Sequence, residues 1–123
     1  MTWALFLDDI RFPEDTRNVG WRDDWMIARS YDDAVILITE HGVPDFISFD
    51  HDLADEHYES FEAGAAGEKT GYTFAKWFCN HVMENDLALP DEFAYYVHSM
   101  NPVGAQNIRN YMDSFLRHYG KHK

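Results

Sequence analysis

The sequence predicts one α/β domain: a small parallel sheet of about four strands with flanking helices. Three observations predict it. Short apolar runs of strand length recur at residues 3–7, 25–28, 46–49 and 93–97. Between and after them lie segments with helical spacing of apolar residues and recognisable caps. The chain, at 123 residues, is long enough for one hydrophobic core and too short for two, so residues 1–123 form a single domain.

Residues 3–7 read Trp-Ala-Leu-Phe-Leu and stop at Asp8 and Asp9. Continuous apolar runs suit strands covered on both faces, as in a parallel sheet. An irregular polar stretch follows over 11–24, broken by Pro13 and Gly20, and residues 25–28 give the second strand. Ser30 then caps a helix, with Asp33 three residues on as in a capping box. Tyr31, Ala34, Val35 and Ile38 share one face of it, and Gly42 with Pro44 ends it. The third strand, 46–49, stops at Asp50. Residues 54–68 are acidic and carry Gly64 and Gly67, which predicts a loop with at most a short helix. Thr70 caps the next helix, which runs to about Met83. The fourth strand, 93–97, stops at His98. Asn101 caps the last helix, with Pro102 at its first position and Ala105, Ile108, Met112, Phe115 and Leu116 turned inward.

A formal charge of -12 argues against duplex nucleic acid as a partner, because most of the surface would repel phosphates. The same excess favours a bound metal ion. No stretch is long enough to span a membrane or to serve as a signal-peptide core, so no membrane partner and a cytoplasmic location are expected. One cysteine, Cys79, excludes an internal disulfide, and its helical setting among Phe74, Ala75, Phe78 and Val82 predicts a packed thiol.

Strands separated by helices imply right-handed crossovers, which bring the carboxyl ends of all strands to one edge, where ligands bind. Three of the four runs end in chemically capable residues: Asp8-Asp9, Asp50-His51-Asp52 and His98-Ser99. Asp8 and Asp9 are either a turn or, since adjacent carboxylates repel, ligands of a shared cation together with Asp50. Arg11 either neutralises them or holds a phosphate through its fork of donors. His51 and His98 have side chains suited to proton transfer near neutral pH, and both are expected to face an open cleft. Asn101 serves as a helix cap, and the same helix start offers N–H groups to an anion. Lys69, Thr70 and Gly71 supply a cation and a second helix start, without the full Walker pattern.

Four ordered blocks carry a family resemblance across nearly the whole chain. They are Leu5-Phe-Leu-Asp8-Asp9-Ile-Arg11-Phe-Pro13, Ser48-Phe-Asp50-His51-Asp52-Leu53, Thr70-Gly71, and Val97-His98-Ser99-Met-Asn101-Pro102 with Gly104 and Asn107. The set resembles the cyclic-phosphate processing receiver-like domains. That resemblance implies a shortened receiver (flavodoxin-like) three-layer fold and a role in processing cyclic phosphates of nucleotides or RNA ends. Its polar signature falls on Asp8, Asp9, Arg11, Asp50, His51, Asp52, His98, Ser99 and Asn101. The sequence departs from signalling receivers in having no later strand that carries a lysine.

The expected function is therefore a phosphoesterase acting on a cyclic phosphate. Asp8, Asp9 and Asp50 are the expected ligands of Mg²⁺ or Mn²⁺. Arg11, Ser99, Asn101, Lys69 and Thr70 are expected to hold a small phosphorylated or cyclic-phosphate ligand. His51 and His98 would divide acid and base duties beside Asp50 and Asp52. Two other outcomes stay open: a non-catalytic module that binds a nucleotide or protein, and a D-x-D phosphatase with Asp50 as nucleophile.

Overall fold

The computed structural model describes residues 3–9, 11–13, 24–50, 70–99 and 101–119. These residues contain four strands and three helices, in the order β1 (Ala4–Leu7), β2 (Trp25–Ala28), α1 (Tyr31–His41), β3 (Phe46–Phe49), α2 (Gly71–Glu84), β4 (Ala94–Val97) and α3 (Pro102–Tyr119). The strands pair in the order β2-β1-β3-β4, all parallel. The α/β class and the four-stranded parallel sheet are as the sequence predicts. The expected loop over 54–68 lies outside the described residues, as does 14–23 of the irregular stretch.

Side-chain alternation gives the sheet two different faces. Leu5, Leu7, Ala28, Ile47, Phe49 and Val97 join the buried residues of all three helices in one cluster, with Ile38, Phe74, Phe78, Ile108 and Met112 at its centre. Phe74 links strand and helix within it, its ring 6.1 Å from that of Phe49 and 6.3 Å from that of Tyr31. Cys79 is buried in this layer and its thiol is pushed up to about 12 by desolvation, which makes it a packed thiol. The opposite face carries Phe6, Trp25, Phe46 and Ser48, joined by edge-on contacts of Trp25 with Phe6 and with Phe46.

The helix starts are built as the sequence predicts. Ser30 Oγ accepts the N–H of Asp33, while the Asp33 carboxylate accepts the N–H of Arg29, tying the end of β2 to α1. Thr70 and Thr73 form a reciprocal capping box at α2. Asn101 Oδ1 accepts the N–H of Gly104 at 2.9 Å at the start of α3. Gly42 ends α1 with φ at 90°, a left-handed conformation that favours glycine there. Among the described residues no helix is long and apolar enough to cross a membrane.

Candidate functional site

The strand register sets up the site. Leu7 pairs with Ala28 on one side and Phe49 on the other, and Phe49 pairs with Val97. The next residue on each strand is Arg29, Asp8, Asp50 or His98, so these four form one row across the carboxyl edge of the whole sheet. Backbone bonds carry the ladder that one step further: Asp8 N–H to Ala28, Asp50 N–H to Leu7 and His98 N–H to Phe49. Alternation also puts the row on the face opposite the three described helices, continuing Phe6 and Ser48.

Side chains then close the row. His98 lies flat on Phe6, with ring centroids 4.7 Å apart and planes 3° from parallel. Its Nε2 is 2.9 Å from Asp8 Oδ2 and its Nδ1 is 2.6 Å from Ser48 Oγ. A carboxylate oxygen accepts, so Nε2 carries the hydrogen toward Asp8. Asp8 also accepts from Arg11 twice, the backbone N–H at Oδ1 and the guanidinium Nε at Oδ2, both 2.9 Å. The same guanidinium reaches Asp50, with Nη2 at 3.8 Å from Oδ1.

Exposure divides this cluster into a buried part and an accessible part. The side chain of Asp8 is 0 % exposed and that of His98 is 2 %, whereas Arg11 is 28 % exposed and Asp50 is 8 %. The expectation that His98 faces an open cleft is thus corrected: its ring is sandwiched against Phe6 and held at both nitrogens. The expected set otherwise converges at Asp8, Asp50, His98 and Arg11. Asp9 stands close enough to raise the Asp50 pKa. Ser99 Oγ accepts the N–H of Asn101, and Asn101 and Thr70 serve as caps. His51, Asp52 and Lys69 lie outside the described residues.

Burial raises the pKa of Asp50 above the usual carboxylate value, and the neighbouring Asp8 adds to the rise. His98 and Arg11 pull the other way and Asp9 raises it further. The net direction is upward: the ionised form of Asp50 is disfavoured relative to a free carboxylate, and a cation beside it would offset that. One ligand atom each from Asp8, Asp50 and His98 lies within 4.8 Å of the others. Asp8 and Asp50 bring two hard oxygen donors of the kind a divalent ion takes, while both His98 nitrogens are engaged by Asp8 and Ser48. The two carboxylates therefore fit Mg²⁺ or Mn²⁺, with the Arg11 guanidinium as a cation already beside them.

Two members of the site escape the sequence reading. Ser48 is a polar residue inside an apolar strand, on the same parity as Asp50, and that parity is the signal that it shares a face with the site. Ser48, His98 and Asp8 are linked in the order of a hydrolytic triad, yet Ser48 has no exposed surface. A nucleophile without surface cannot meet a substrate, so Ser48 orients His98. Arg29 follows the second strand directly, as Asp8 and Asp50 follow theirs. Its Nη1 donates to the backbone carbonyls of Asp8 at 3.2 Å and Arg11 at 2.6 Å, which shapes the loop between them.

Compared with known families, residues 3–114 match the cyclic-phosphate processing receiver domain. No curated protein and no solved structure gives a significant match to the chain.

Proposed function

The chain belongs to the cyclic-phosphate processing receiver domains, and on that premise we propose that it is a phosphoesterase that opens a small cyclic phosphodiester to a monoester. One observation carries the proposal: the partly exposed guanidinium of Arg11 lies against the buried pair Asp8 and Asp50 at the edge where receiver-like sheets bind ligands. Arg11 is the accessible cation for the non-bridging oxygens of the phosphate, through the forked geometry that suits such groups. The helix start at Ser99 and Asn101, with Lys69 and Thr70, is the proposed remainder of the phosphate cradle.

Ring opening adds one water. Its oxygen bonds to phosphorus, its proton goes to a base, the ribose C–O–P bond breaks at phosphorus, and the leaving oxygen takes a proton. His51, next to Asp50 in sequence, is the proposed group for one of these transfers, with Asp50 and Asp52 beside it. His98, enclosed between Ser48 and Asp8, acts through Asp8 by fixing that carboxylate against Arg11. Asp8, Asp9 and Asp50 would hold Mg²⁺ or Mn²⁺, which supplies positive charge to the phosphoryl oxygens and lowers the pKa of a bound water.

The burial of His98 favours a second possibility, a domain that binds a cyclic phosphate without turnover, because one of the two expected proton carriers is enclosed. Phosphorus NMR of the purified chain with 2′,3′-cyclic and 3′,5′-cyclic nucleotides and ring-closed RNA ends, with and without Mn²⁺, separates the two. Conversion of one substrate to a monoester is the expected result. Saturable binding without product selects the binding domain, and neither binding nor product across the panel refutes both.

A further inference from the structure

Leu7 pairs with Ala28, so Asp8 and Arg29 stand side by side where β1 and β2 end. From Asp8 the chain runs on to Arg11, the proposed phosphate-binding group. Backbone past a strand end has lost its ladder partner and needs other donors and acceptors. The carbonyls of Asp8 and Arg11 both take theirs from Arg29, whose Nη1 lies 3.2 Å from the first and 2.6 Å from the second. One amino group, with its two hydrogens, therefore ties both ends of this turn. Its charge makes the two bonds stronger than bonds between neutral groups.

Arg29 is itself held at both ends. Its backbone N–H donates to Asp33 Oδ2 at 3.1 Å, and the N–H of Asp33 donates to Ser30 Oγ, which ties Arg29 into the cap of α1. Its guanidinium carbon lies 4.5 Å from the centre of the Phe12 ring, within cation–π range. A connected series thus runs from the helix cap through Arg29 to the two carbonyls and the Arg11 side chain. It ends where Arg11 Nε meets Asp8 Oδ2 at 2.9 Å and Nη2 stands 3.8 Å from Asp50 Oδ1.

We propose that Arg29 is the positioning residue of the phosphate site: it aims the Arg11 guanidinium through the backbone and sets ligand affinity without touching the ligand. The inference rests on the proposed phosphate site and adds a residue which that reading leaves out. Both Nη1 hydrogens are directed at carbonyls, so the brace works on the turn that carries Arg11. A fork of donors matches a phosphate in a narrow range of directions, and a misplacement of about 1 Å caused from a distance can cost about 10²-fold. Because a single nitrogen serves both carbonyls, a lysine ammonium with its three N–H groups can stand in for it. A methionine keeps the apolar stem and supplies no donor.

The test is a double-mutant cycle in ligand affinity. Adenosine 2′,3′-cyclic phosphate is titrated by calorimetry into the full chain in Mg²⁺ buffer, with thermal melts confirming that each variant folds. Arg29→Met should weaken binding roughly ten-fold, and Arg29→Lys should stay within about three-fold of the unmodified protein. In an Arg11→Ala background, Arg29→Met should change affinity by less than about two-fold, because the group it aims is gone. Arg29→Gln, whose amide is too short to reach both carbonyls, replaces Arg29→Met in the cycle if the latter does not fold. In ligand-free ¹⁵N spectra the Arg11 Nε–H signal, assigned by its loss in Arg11→Ala, should move to the position of a free arginine in Arg29→Met and stay in place in Arg29→Lys. Additive losses in the cycle, an unchanged affinity in Arg29→Met, or an Arg11 signal that does not move overturns the positioning role and leaves the phosphate site standing. Failure of the unmodified protein to bind the probe refutes the phosphate site and the positioning role with it.

Discussion

His98 Nε2 and Asp8 Oδ2, ninety residues apart in sequence, meet at 2.9 Å past the Asp50 position that separates them in the row, and neither side chain has more than a trace of exposed surface. The contact joins β1 to β4 across the intervening β3, with Ser48 beneath it. Removing the imidazole takes one hydrogen-bond partner from a fully buried carboxylate and leaves a cavity against Phe6. His98→Ala is therefore expected to destabilise the fold by about 3–5 kcal/mol, read from denaturant unfolding. Unchanged stability would place the ring in solvent and undo the Ser48–His98–Asp8 linkage.

Ser48→Ala should cost less. It leaves His98 Nδ1 without the hydroxyl partner at 2.6 Å, a loss of about 1–3 kcal/mol, and the small side chain leaves little void. Ser48→Thr keeps a hydroxyl on a strand position that suits β-branched residues, and it should recover most of that loss. If Thr and Ala behave alike, the hydrogen bond does not hold the imidazole.

The raised pKa of Asp50 makes a signed prediction. The folded state binds its proton more tightly than the unfolded chain, so the unfolded state binds fewer protons and stability falls as pH rises from the ordinary aspartate value through the raised one. Asp50→Asn removes that ionisation. In EDTA at neutral pH it should melt higher than the unmodified protein, and its melting temperature should depend less on pH across that acidic window. A lower melting point at neutral pH would mean that ionised Asp50 is a net stabilising partner of Arg11.

Divalent cations reverse the sign at the same residue. Millimolar Mg²⁺ or Mn²⁺ should raise the melting temperature of the unmodified protein, because a ligand bound only to the folded state stabilises it by mass action. Asp50→Asn should remove the rise and Asp9→Asn should reduce it. Identical melting curves with and without the ions in the unmodified protein would exclude the cation from this site.

For turnover, His51→Ala should lower the rate roughly 10²–10⁴-fold, the size usual for a general acid or base. Arg11→Ala should weaken substrate binding, and Arg11→Lys should recover only part, since a lysine supplies the charge without the fork. A His51→Ala protein that turns over normally would shift proton transfer to Asp50 or Asp52.

Much of this protein was determined by the sequence alone. The four apolar runs and their caps specify strands and helices locally, because burial pattern and capping chemistry are encoded within a few residues. The crossover rule then brings Asp8, Asp50 and His98 to one edge without reference to any contact between them. Parity within the strands even puts these three and Ser48 on one face, a signal readable in the order of residues. Only the tertiary structure decided how that edge is used. Whether His98 stands open or buried depends on the ring lying across Ser48 onto Phe6, a packing of three strands that no local pattern encodes. Whether Arg11 answers Asp8, Asp50 or solvent depends on a loop shaped by Arg29, eighteen residues further along the chain. Those choices come from side-chain packing between strands distant in sequence, and the register that permits them exists only once the sheet has formed.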